Sequence, residues 1–78
     1  MKCIIAFNGF AKRRDNIDGV ELPFLPGRGD AVYIGGGEEG LDTAEPVRVQ
    51  SSSLYVLDGV AIGYIVVKPF RIGDNELV

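Results

Sequence analysis

Apolar residues in this chain fall in short runs cut by glycine. No window of a dozen residues carries the i, i+3, i+4, i+7 spacing of an amphipathic helix. The first run, Lys2 to Phe7, predicts a strand. Asn8 to Gly19 is polar and holds the turn-forming pairs Asp15-Asn16 and Asp18-Gly19, so residues 8–19 read as a loop. Val20 to Phe24 predicts a short extended piece, confined to a sheet edge or an irregular arm by Pro23 and Pro26, which cannot donate a ladder hydrogen bond. Ala31 to Ile34 predicts a strand, and residues 35–45, opening with Gly35-Gly36-Gly37, predict a glycine-rich acidic loop.

The last third carries the clearest signal. Val47 to Leu57 and Val60 to Val67 flank Asp58-Gly59, the dipeptide of a two-residue type I′ hairpin turn, in which both turn residues need positive φ. In the second arm Val60, Ile62, Tyr64 and Val66 share one face, and Ala61, Gly63, Ile65 and Val67 the other. A one-sided antiparallel sheet alternates apolar with polar residues, and this arm does not. Either both faces are covered within the domain or one meets another chain. Low charge and high β-propensity make Val60 to Val67 prone to strand pairing, with Lys68-Pro69 as a gatekeeper behind it. Phe70 to Ile72 is a candidate last strand, and Gly73 to Val78 a frayed tail.

Composition agrees with strands: Val and Ile number 16 and Ala only 5 among 78 residues. That length permits a single domain, residues 1–78, with one core. Five short strands must hide their edges, and the economical solution is an all-β fold: a small five-stranded barrel, or a half-open one, with a C-terminal Asp-Gly hairpin.

The stretch Leu22-Pro23-Phe24-Leu25-Pro26-Gly27-Arg28-Gly29-Asp30-Ala31-Val32 resembles a motif of small SH3-like β-barrel proteins, among them small bacterial proteins of unknown function. The likeness covers 11 of 78 residues: a proline-glycine approach, then Gly-Asp-x-Val at the start of a strand. Locally, Gly29 can take a positive φ, the Asp30 carboxylate can accept backbone N–H groups of the turn, and Val32 can point into the core. The resemblance implies an SH3-like fold and no activity.

Charge is segregated. Residues 1–14 hold Lys2, Lys12, Arg13 and Arg14 and no acid (+4), residues 15–45 hold eight acids against Arg28 (−7), and residues 46–78 balance, giving −3 overall. An acidic chain is a poor partner for nucleic acid, whose affinity comes largely from neutralised phosphates. One cysteine and no histidine exclude an internal disulfide, a zinc ligand set and histidine-based catalysis. No apolar run approaches the 18 or more residues of a membrane-spanning helix, and the apolar start ends at Asn8-Gly9, too short for a secretory segment. The expected setting is reducing and cytoplasmic.

Each chemistry-bearing cluster has a plainer reading. Arg28-Gly29-Asp30 spells an adhesive tripeptide, but Gly29-Asp30 belongs to the strand opening. Gly27-x-Gly29 and Gly35-Gly36-Gly37 lack the following helix and the Lys-Ser/Thr ending of a phosphate loop. Glu38, Glu39, Asp42 and Glu45 read as a solvated loop, with weak divalent-ion binding as the alternative. Ser51-Ser52-Ser53 has only Lys68 as a conceivable activator and reads as a bulge or as outward-facing residues. Cys3 reads as a small buried hydrophobe. Tyr33, Tyr55, Tyr64 and Phe70 could line a peptide groove but fit core packing better. Phe10, Lys12, Arg13 and Arg14, three cations beside an aromatic, form the sharpest surface feature.

The sequence therefore predicts a non-enzymatic protein-interaction or assembly module without cofactor or metal. Phe10, Lys12, Arg13 and Arg14 are the expected partner contacts, and Val60, Ile62, Tyr64 and Val66 the expected oligomer interface. The alternative is a small nucleic-acid-binding barrel using loop 12–14.

Overall fold

Five strands form one antiparallel-rich sheet in a computed structural model that describes residues 1–35 and 44–70: β1 (Lys2–Phe7), β2 (Ile17–Glu21), β3 (Ala31–Ile34), β4 (Glu45–Leu57) and β5 (Val60–Pro69). Their spatial order is β2-β1-β5-β4-β3. β1 runs parallel to β5 and all other pairs are antiparallel. The sheet curls into a half-barrel, all-β and consistent with a small SH3-like barrel. Its open side lies between the two edge strands, β2 and β3.

The concave face holds the core. Cys3 and Ile5 of β1, Ile65 and Val67 of β5, and Val47 and Val49 of β4 are all buried. Register explains the set: Cys3 pairs with Gly63, Ile5 with Ile65, and Val49 with Val67, so one parity of three adjacent strands meets on one side. Half-buried Val20, Leu22, Leu25, Val32 and Ile34 pack over it from the edges. Cys3 is the small buried hydrophobe expected.

The second strand sits earlier than Val20 to Phe24. It spans Ile17 to Glu21, and the polar loop shortens to residues 8–16. Between the pairs Cys3–Val20 and Ile5–Ile17, β2 spends one residue more than β1. Gly19, at φ 71°, absorbs this bulge and returns Ile17 to the core face. β2 is an edge strand, but Pro23 and Pro26 lie beyond its end at Glu21 and are not what confines it there. The acidic loop is also shorter than 35–45, because Glu45 already opens β4 opposite Ile34. Residues 36–43 and the tail 73–78 lie outside the described residues. Phe70 follows β5 without joining a strand, and residues 71–72 of that candidate strand also lie outside the described residues.

The strand opening matches the local physics read from its residues. Gly29 has φ 90°, and the Asp30 carboxylate accepts the Gly27 N–H at 2.8 Å. The 27–30 turn then docks on β4 through Gly29 N–H to the Val49 carbonyl and Val49 N–H to the Asp30 carbonyl, both 2.9 Å. The hairpin turn is type I′, with Asp58 at φ 52° and Gly59 at φ 77°.

Candidate interaction surface

The β4–β5 hairpin is longer than the sheet that carries it. β1 reaches only as far as Ile62 on β5, while β3 and the 27–30 turn reach only Val49 on β4. Beyond those limits, among the described residues, β4 and β5 pair only with each other, out to Leu57 and Val60. A two-stranded ribbon has no layer to cover either face. Its large apolar residues are accordingly in solvent: Leu54 is 54% exposed, Tyr55 51%, Val56 64%, Leu57 56% and Val60 57%. An isolated exposed leucine needs no explanation, but Leu54, Tyr55, Val56, Leu57 and Val60 together make one exposed apolar patch on a projecting arm.

A second bulge sets which residues share a face. Val49 pairs with Val67 but Ser51 with Val66, so Gln50 is an extra residue and the alternation of β4 shifts there. Past it, Ser51, Ser53, Tyr55 and Leu57 lie on the convex face with Val66, Tyr64, Ile62 and Val60. Ser52, Leu54 and Val56 lie on the concave side. The serine triplet thus borders a bulge, and the ladder sets Lys68 opposite Arg48 rather than opposite a serine. Of the expected interface, Val60 is more than half exposed, and Ile62, Tyr64 and Val66 are half-buried along the same convex stripe. Tyr64 stacks edge-on against Tyr55, with ring centroids 6.4 Å apart.

The four aromatics considered for a groove do not converge. Tyr33 stands on the far edge strand, and Phe70 lies under the Arg48 guanidinium at 4.4 Å.

The basic loop divides in two. Phe10 is half-buried, packs on the core and meets Phe7 edge-on at 5.4 Å. The Arg14 guanidinium covers both rings, at 4.2 Å from the Phe7 centroid and 5.1 Å from Phe10, and donates to Glu45 Oε1 at 2.6 Å. Phe10 and Arg14 therefore tie the loop to the start of β4. Lys12 and Arg13 are exposed. A dimple of about 490 Å³ beside Arg13 is lined by Phe7, Arg13, Arg14, Asp15, Asn16 and Asp18, so the two arginines share it with two carboxylates. Arg14→Ala removes the ring contacts and a partly exposed ion pair. We expect a loss of about 1 kcal/mol, read as the shift in urea midpoint, with Arg13→Ala unchanged.

The open side of the half-barrel is an apolar trough of about 630 Å³. Ile5, Ile65 and Val67 form its floor, and Ile17, Val20 and Leu22 face Val32 and Ile34 across it. Among the described residues, the polar side chains of its lining are Tyr33, on edge strand β3, and Asp30, which the 27–30 turn already uses.

Among the described residues, no three His, Cys, Asp or Glu side chains gather as metal ligands, and no helix is long and apolar enough to cross a membrane. Of the acidic candidates, Glu38, Glu39 and Asp42 lie outside the described residues, and Glu45 pairs with Arg14. Comparison with protein-family models, with curated proteins and with solved structures finds no match to this chain.

Proposed function

We propose that this chain is a non-enzymatic assembly module and that the β4–β5 arm is its contact surface. The observation that carries this reading is the run of five large apolar side chains, each more than half exposed, on a ribbon that no described strand covers. Burying such surface is worth roughly 25 cal/mol per Å², and an isolated protein gains nothing from leaving it in water. The non-enzymatic part rests on the sequence, which has no histidine and a single cysteine, itself in the core. A reducing, cytoplasmic setting belongs to the same reading. Contact with an acidic partner falls to Lys12 and Arg13, since Phe10 and Arg14 are engaged within the fold. The same division weakens the nucleic-acid alternative, because two free cations neutralise few phosphates.

Light scattering over a range of protein concentrations tests the assembly. The wild-type chain is expected to show a mass at least twice 8.4 kDa. A Leu57→Asp, Val60→Asp variant is expected to remain at monomer mass with an unchanged circular dichroism spectrum. A wild-type mass of one chain at every concentration contradicts the assembly.

A further inference from the structure

The arm offers an edge as well as two faces. In a two-residue hairpin the residues flanking the turn, here Leu57 and Val60, exchange their hydrogen bonds with each other, and every second residue back along the strand does the same. On β4 these are Leu57, Tyr55, Ser53 and Ser51, bonded to β5. The N–H and C=O groups of Ser52, Leu54 and Val56 point the opposite way, past the end of β3, where no described strand meets them. Soluble proteins blunt such edges with charge, proline, a bulge or a short strand. This one has no charged residue and no proline from Gln50 to Leu57, and its bulge lies at the inner end.

We propose that the β4 edge pairs antiparallel with the β4 edge of a second copy, joining two half-barrels through one continuous sheet. The inference rests on the assembly reading above and specifies its geometry. A second copy is the occupant because an antiparallel edge is its own complement about a two-fold axis. The 27–30 turn limits the free edge to Ser51–Leu57, whose centre is Leu54. A two-fold axis there sets Leu54 against the second copy's Leu54, Ser52 against its Val56, Ser53 against its Tyr55 and Ser51 against its Leu57. Each serine then faces a large side chain, so the three serines make room instead of leaving gaps. No like charges meet along this seam, although each chain carries −3 overall.

Sedimentation equilibrium on the full chain tests the pairing with three variants. Ser52→Pro removes a donor aimed at the second copy and none from the β4–β5 ladder. Leu54→Lys and Leu54→Glu place like charges face to face at the axis, on a side chain already half in solvent. Each variant is expected to weaken the dimer at least tenfold while retaining the wild-type circular dichroism spectrum. An equimolar mixture of Leu54→Lys and Leu54→Glu is expected to restore it as a one-to-one heterodimer. A wild-type dimer that survives Ser52→Pro, or a lysine–glutamate mixture that stays monomeric, overturns the edge pairing and leaves assembly through the arm's faces standing. A monomeric wild-type chain overturns both.

Discussion

Ile65→Ala is expected to lower the melting temperature by about 8 °C or more. Ile65 is 1% exposed and lies at the centre of the sheet, with Ile5 beside it on β1 and Ser52 on β4. Truncating a buried isoleucine costs about 2–5 kcal/mol, because the transfer term and the cavity term add. A chain of 78 residues has a total stability of roughly 4–12 kcal/mol. Each kcal/mol moves the midpoint of a domain this small by about 4–8 °C. The neighbouring strands are fixed by their ladders and cannot collapse into the space. Leu57→Ala on the arm is the control. Its side chain is already 56% exposed, and its loss is expected to shift the midpoint by no more than a few degrees. Equal shifts for the two variants, measured by thermal unfolding, would mean that the core and the arm have been misidentified.

Gly63→Val is expected to cost about 1–2 kcal/mol net, although valine is the better strand former. A Cβ at position 63 would stand 2.5 Å from Leu25 Cδ2 and 2.8 Å from Cys3 Sγ. β-Propensity differences span about 1 kcal/mol, whereas overpacking a closed site costs about 1–3 kcal/mol. The clash therefore wins. Leu25 closes over β5 from the proline-rich segment before β3, and glycine leaves the hollow that receives it. Gly63→Ala is expected to cost less, since Leu25 can swing aside. Part of that cost should disappear in a Leu25→Ala background, a coupling that denaturant titration of the four-variant cycle would read directly. A stabilising Gly63→Val would refute the close approach.

How far residues reveal structure differs between parts of the chain. Asp58-Gly59 between two apolar runs signals its turn without help, because the dihedral demand is local and few residue types meet it. The Gly29-Asp30 strand opening is legible for the same reason. Ile17 is not legible as a strand residue, since it lies inside a polar stretch and joins β2 only because Gly19 bulges. The bulge at Gln50 is equally hidden, and it decides which serines face outward. Arg14 reads as one of three adjacent surface cations. Its engagement with Phe7, Phe10 and Glu45 depends on contacts up to 31 residues apart, which no local pattern encodes. The two-faced apolar arm is visible as a period of two without polar alternation. That pattern shows an arm apolar on both faces but cannot show where the rest of the sheet stops. The projection beyond Ile62 and Val49 is a property of register, and register emerges only when the strands are paired.

Amide hydrogen exchange along β4, followed at dilute and at concentrated protein, tests the account most directly. The N–H groups of Ser53 and Tyr55 bond to β5 and are expected to exchange slowly at both concentrations. The N–H groups of Ser52, Leu54 and Val56 are expected to exchange quickly in dilute solution and at least tenfold more slowly when concentrated, as a second β4 covers them. Rates at those three amides that do not change with concentration would contradict the pairing of this edge.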